Sequence, residues 1–283
     1  MNKLLIYNNY PVHFEIIESV IVNYQTFFTH KIEDVIIYLA CHYNESFINY
    51  IKNKYTNIIL INLNNINLNN YTYVINCTIY EQQLNKTIFN IDSKIKYISH
   101  RITDKMQTND NIFYLSPLSK KNVFIANVLP FSEHKVNSNK PIFIVQGNLV
   151  EARRNYNLLV KILEKEYEYD FEIRLVGRGN LPNILRKYKD KIVVKNNLNF
   201  VDYHKEFQDA YCILPLITKN SHPQYYTNTL TSSINYIIGY NTKCIIDKDL
   251  QDIYKLQNAE IFNDINDITS AFERSLRSFY VTN

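Results

Sequence analysis

Short apolar runs rich in β-branched residues alternate with longer amphipathic stretches along the whole chain. In the first half the runs at 4–7, 35–39, 58–61, 73–75, 95–98 and 123–128 read as strands. Helical periodicity occupies 13–28, 44–54 and 79–84 between several of them. In the second half, strands are expected at 142–146, 172–176, 192–195, 211–216 and 244–246. They alternate with helices near 155–166, 181–189, 203–209, 228–238 and 249–257, and a last helix runs from 267 to about 279. Alternation of this kind predicts βα units and parallel sheets. From Pro130 to Pro141 the apolar period is lost in a polar stretch, and a fresh strand starts directly after it. The reading is an α/β chain of two Rossmann-like domains, residues 1–135 and 136–283, with a cleft between them.

Composition narrows the function more than the fold. A length of 283 residues suits two domains. With 46% hydrophobic and 20% charged residues, wholesale disorder is excluded. The four cysteines, Cys41, Cys77, Cys212 and Cys244, are far apart, which excludes the common zinc-ribbon spacings and fits a reducing compartment. The opening apolar run is too short for a signal-peptide core, and no later stretch approaches the ~18 apolar residues of a membrane span. The glycan-acceptor triplets at 70–72, 76–78 and 85–87 then carry no meaning, and a cytoplasmic protein is expected.

Lys and Arg outnumber Asp and Glu by 12 to 10 up to residue 135 and by 19 to 17 beyond it. A nucleic-acid binder concentrates its excess on one element or domain, so that class is set aside. The abundance of Asn, Ile, Lys and Tyr is what an AT-rich genome imposes, such as that of a giant virus (placing the protein in host cytoplasm) or a protist. Asn-rich runs such as 62–70 follow from the same bias and are not read as a functional low-complexity segment.

All four glycines, Gly147, Gly177, Gly179 and Gly239, fall in the second half, so each marks a position where a side chain would clash. Gly147 ends a buried strand and is followed by a loop carrying Arg153 and Arg154, then by a helix that Asn155 could cap. Ligands of doubly wound sheets sit beyond the carboxyl ends of strands, and paired arginines beside a helix N-terminus suit a diphosphate. A second strand runs into Gly177-Arg178-Gly179. It lacks both the third glycine of a dinucleotide fingerprint and the Lys of a phosphate loop, which disfavours an oxidoreductase. Then come Phe200-Val201-Asp202-Tyr203 and a buried strand closed by Pro215. The hydroxyl-rich stretch from His222 to Ser233 leads into a helix expected to end at Gly239.

In order and spacing these segments, over residues 141–257, resemble the nucleotide-sugar-binding domain of GT-B glycosyltransferases, the group that includes glycogen synthase-like and bacterial lipopolysaccharide transferases. The resemblance implies transfer of a glycosyl group from a nucleoside diphosphate sugar to a saccharide acceptor hydroxyl, with no metal and no further cofactor. Gly147, Arg153, Arg154, Gly177, Arg178 and Gly179 would hold the diphosphate, and the backbone near Phe200 would border the nucleobase. The stretch from Tyr226 to Ser233, including Thr227, Thr231 and Ser232, would cradle the distal phosphate and sugar, with Tyr225 and Asn235 as further donor-binding residues. Many relatives place two glutamates seven residues apart here, whereas this segment has no acid: Tyr226 or Thr227 stands near the first position and Asn235 near the second. The Arg that usually follows the first Gly is Asn148.

The first domain would then supply the acceptor site. By the same resemblance His13 and Glu15, in the loop and helix after the first strand, lie where an inverting enzyme keeps its base, and His100 could reach the donor. Histidine titrates near ~6.5, which suits proton removal at neutral pH. The pair Asp247 and Asp249 reads as a strand end and a helix cap rather than as metal ligands. An inactive nucleotide- or glycan-binding module of the same fold is the alternative function. Sugar, base, acceptor and any homo-oligomer are not encoded legibly.

Overall fold

The computed structural model describes residues 1–84, 94–130, 134–136 and 138–282. The acceptor triplet at 85–87 and parts of the expected linker, 131–133 and 137, lie outside the described residues. The chain divides into two compact units, Met1–Leu129 with Asn228–Leu230, and Pro130–Thr227 with Thr231–Asn283.

In unit 1 the strands are β1 (Asn2–Asn8), β2 (Val35–Cys41), β3 (Ile58–Leu60), β4 (Tyr73–Ile79), β5 (Ile95–Ser99) and β6 (Ile112–Tyr114). Its helices are α1 (Phe14–Asn23), α2 (Glu45–Lys54), α3 (Glu81–Leu84) and α4 (Asp104–Gln107). All strand pairs are parallel, in the order β3-β2-β1-β4-β5-β6. Near-continuous apolar runs are what such strands need, because helices cover both faces. Leu4, Leu5, Ile6, Val74, Ile75 and Ile98 are all fully buried.

Unit 2 contains β7 (Ile142–Asn148), α5 (Tyr156–Glu164), β8 (Glu172–Arg178), β9 (Ile192–Asn196), α6 (Phe200–Gln208), β10 (Cys212–Ile213), α7 (Gln224–Thr227), α8 (Ser232–Tyr240), β11 (Lys243–Asp247), α9 (Lys248–Tyr254), β12 (Ala259–Phe262) and α10 (Ile268–Thr282). Its order, β12-β11-β10-β7-β8-β9, repeats the pattern of unit 1 and is again parallel throughout. Each sheet is therefore a doubly wound Rossmann sheet, which reverses winding direction beside its first strand. That switch point lies between β1 and β4 in unit 1 and between β7 and β10 in unit 2.

Several expected elements differ. The run at 123–128 does bury alternate residues, Phe124, Ala126 and Val128, but makes only an isolated bridge to Tyr114, and β6 takes the sheet edge instead. The strand expected at 211–216 shrinks to two residues, because Pro215 has no N–H and Leu216 adopts a left-handed φ of 52°. The segment at 181–189 tightens into 3-10 turns spanning Asn183–Lys191. α8 starts at Ser232 rather than 228, because Asn228–Leu230 joins unit 1 through an antiparallel bridge from Thr229 to Arg101. It also runs through Gly239 to Tyr240; Asn241, with φ 50°, makes the left-handed cap that a glycine was expected to make.

Two local devices stiffen unit 1. Glu18 on α1, 2% exposed, accepts from Tyr50 Oη at 2.6 Å, Lys54 Nζ at 2.8 Å and Tyr55 Oη at 2.9 Å, tying α2 to α1. The Asn-rich run is an exact tandem pentad, Ile61-Asn62-Leu63-Asn64-Asn65 repeated at 66–70. Each copy closes a 3-10 turn, with Asn62 and Asn67 accepting from the backbone N–H of Asn64 and Asn69. Ile61, Leu63, Ile66 and Leu68 pack on the core beneath.

Candidate functional site

The switch point of unit 2 is built around Arg154. β7 is apolar until Gln146, a buried amide, and then Gly147, whose φ of 112° suits no side chain. Gly177 pairs with it in register, and a Cβ on Gly177 would collide with the Gly147 carbonyl. The backbone turns through Glu151–Arg153 and returns Arg154 to the strand end. There its guanidinium donates to the carbonyls of Gln146 and, at 2.7 Å, Arg153, and to Ser233 Oγ at 3.2 Å. A further bond joins it to Tyr225.

Ser233 lies in the first turn of α8 and donates to Gln146 Oε1 at 3.0 Å, while Gln146 Nε2 donates to Ser232 Oγ at 3.3 Å. The strand end, the arginine loop and the start of α8 thus form one network.

Arg154 is only 4% exposed. Burial lowers its pKa and the nearby Tyr225, Tyr156 and Tyr203 oppose that shift, but a guanidinium stays charged in any case. Among the described residues no carboxylate forms an ion pair with it. Three buried polar atoms in the same segments, Arg154 Nε, Tyr156 Oη and Thr231 Oγ1, have no hydrogen-bond partner. Burial pushes the Tyr156 hydroxyl up to about 12, so it remains a donor at neutral pH. A buried cation beside unpaired donors and a helix N-terminus is a place for an anion.

The expected arginine pair does not form. Arg153 is exposed and contributes only its carbonyl to the network, because the turn at 151–153 points the two side chains apart. Asn155 occupies the cap position of α5, but its side chain makes no capping bond. The hydroxyls of Tyr226 and Thr227 find other partners than Arg154: Tyr226 Oη donates to Asp247 Oδ1 at 2.9 Å, and exposed Thr227 Oγ1 donates to the Pro223 carbonyl at 3.2 Å. The two residues border a depression of about 430 Å³ with Lys219, Pro223, Asp249, Asp252 and Ile253. Asp247 caps α9 by accepting from the Asp249 N–H.

Of the other expected residues, Tyr225 joins the network, and Ser232 and Thr231 open α8. Asn235 is buried within α8. Gly179, with φ 105°, ends the β8 turn and accepts from Asn196 Nδ2 at 3.0 Å; Arg178 is exposed and Phe200 begins α6 against His204. Of the network residues, sequence reasoning missed Gln146. Gln146 carried a signal, as the polar residue in an otherwise buried strand.

Unit 1 gathers its own polar group at its switch point. Buried Asn8, at the end of β1, donates to the Val12 carbonyl at 2.7 Å and accepts from the Tyr10 N–H at 3.2 Å, fixing the loop that follows. That loop places His13 at the start of α1 with a left-handed φ of 66°. His13 Nδ1 lies 3.5 Å from Glu15 Oε1, and its ring lies 3.8 Å, centroid to centroid, from that of His100 after β5. Burial holds His100 well below the usual histidine range; the neighbouring His13 acts in the same direction, and a bond to the Cys77 carbonyl opposes it. His13, Glu15 and His100 are thus brought together, with one imidazole kept neutral beside the other.

No family model matches the chain, and no curated protein matches its sequence. Solved structures do resemble it. AviGT4, a glycosyltransferase involved in avilamycin A biosynthesis, is 8% identical with a TM-score of 0.58, covering 100% of this chain and 93% of its own. HepE of Anabaena, solved in complex with UDP, is 9% identical with a TM-score of 0.56, covering 96% and 90%. The UDP-GlcNAc 2-epimerase of Methanocaldococcus jannaschii is 11% identical with a TM-score of 0.51, covering 97% and 92%. At such identities the likeness establishes the fold: two Rossmann-like domains of the GT-B type.

Proposed function

We propose that the chain is a glycosyltransferase that moves a sugar from a nucleoside diphosphate sugar to an acceptor hydroxyl. The observation that carries this reading is the buried guanidinium of Arg154, without a carboxylate partner among the described residues, on the glycine-opened end of β7 and against the first turn of α8. A diphosphate supplies the missing negative charge, and its stabilisation as it leaves is the electrostatic core of glycosyl transfer. Arg154, the Tyr225 and Tyr156 hydroxyls, Thr231 and the free N–H groups of α8 supply the donors, so charge is neutralised by protein groups rather than by a metal. UDP in the structure of HepE supports the same class of ligand.

In this reading His13, oriented by Glu15, takes the acceptor proton, and His100 stays neutral so that the pair can accept it. A second reading, a binding module without turnover, rests on the absence of any acid from Gln224 to Gly239. A thermal-shift panel of UDP, GDP, CMP and their sugars tests the ligand class, since a ligand that binds only the folded state raises the melting point. No shift with any of them overturns both readings. A shift without hydrolysis or transfer favours the module.

A further inference from the structure

The loop after β10 holds the loop after β7 at two places, one on each side of Arg153 and Arg154. On the far side the Asn155 N–H donates to the Leu216 carbonyl at 2.7 Å. Leu216 presents that carbonyl through its left-handed φ of 52°, a conformation a leucine adopts only when its surroundings impose it. On the near side stands His222, 3% exposed, whose ring bonds to the Ala152 carbonyl. Its Nδ1 lies 2.7 Å from Ser221 Oγ, and its ring faces Tyr225, the residue that bonds Arg154, at 6.0 Å and an interplanar angle of 29°. The ring can donate to the carbonyl from one nitrogen while the other stays within reach of Ser221 Oγ, which itself donates to the Thr218 carbonyl at 3.1 Å.

We propose that His222 is a positioning residue for anion binding: by fixing Ala152 it aims the Arg153–Arg154 turn so that Arg154 folds onto Gly147. The inference rests on the donor-site reading above. It assigns a role to a residue that itself touches no ligand, through the loop that carries the cation. The groups facing His222 are Arg154 and Arg153 from the turn, Ser221 from its own loop and Tyr225 from α7. Burial first, and then the two cations, disfavour a charge on the ring.

The test compares wild type, His222→Phe, His222→Gln and Arg154→Met. Phe keeps the ring stack without hydrogen bonds, and Gln keeps one donor and one acceptor. UDP, GDP and CMP affinities are read by calorimetry, and backbone amide exchange of residues 152–155 is read in the free protein. The expected result for His222→Phe is roughly tenfold weaker binding and roughly tenfold faster exchange, the loss of one or two hydrogen bonds, with His222→Gln close to wild type. Arg154→Met loses binding while its turn stays protected. If His222→Phe leaves exchange at 152–155 unchanged, or binds as wild type while Arg154→Met does not, the positioning role is overturned and the donor site survives. If wild type binds none of the three nucleotides, the donor-site reading fails, and unchanged exchange in His222→Phe would overturn the clamp as well.

Discussion

Arg154 lies directly against the backbone of Gly147: a Cβ on that glycine would stand 2.9 Å from Nη2 of the guanidinium. Gly147→Ala should therefore fail twice, by forcing a side chain into φ 112° and by displacing the arginine. The expected cost is about 1–3 kcal/mol of stability, read by urea unfolding, together with weaker nucleotide binding. An alanine variant as stable as wild type and binding equally well would show that Arg154 does not depend on this contact.

Arg154→Met and Arg153→Met should separate function from folding. Losing the buried guanidinium should weaken nucleotide binding by roughly 2–4 kcal/mol, while the exposed neighbour costs little. Stability should respond less. A buried cation without an acid is expensive, but the same guanidinium serves the Gln146 and Arg153 carbonyls and Ser233, so the two costs oppose each other and Arg154→Met is expected to change the melting temperature of the free protein little. A large fall in melting temperature would mean that the network around Gln146 and Ser233 is structural.

His100 makes a pH prediction whose sign is fixed by burial. Its folded-state pKa lies well below the unfolded value, so the unfolded chain binds more protons in between. Stability is therefore full above about 6.5 and falls as the pH drops below it, until the folded-state pKa is reached. Urea unfolding at pH 7.5 and pH 5.5 should show a smaller loss for His100→Gln than for wild type. Equal losses would place the acid sensitivity elsewhere.

Glu18 gives a test away from either switch point. Its carboxylate satisfies three donors from α2 and the residue after it, so Glu18→Ala leaves them without their acceptor. The expected loss is about 3 kcal/mol, read in urea, with nucleotide affinity unchanged. A loss under 1 kcal/mol would mean that water replaces the carboxylate.

Much of the architecture was legible because parallel strands announce themselves as buried β-branched runs between amphipathic stretches. Val35–Cys41 and Glu172–Arg178 needed no tertiary information. What was not legible depends on neighbours. β6 is three residues long and β12 has an exposed Ile261, so neither shows a buried run; β10 is cut short by Leu216, whose backbone no local pattern reveals. At the site, spacing marked the loop containing Arg153 and Arg154, but not which arginine turns inward. That is decided by the short turn at 151–153 and by acceptors on distant segments, Gln146 and Ser233. The family resemblance puts Tyr226 beside the sugar, and its hydroxyl bonds Asp247, a partner that no local pattern reveals.

The pentads at 61–70 have an evolutionary consequence. Each five-residue copy closes its own turn and sets its own apolar pair on the core. Adding or deleting one copy would leave every remaining turn and its apolar pair whole. At this point in the molecule, length can drift without a frame of packing being lost.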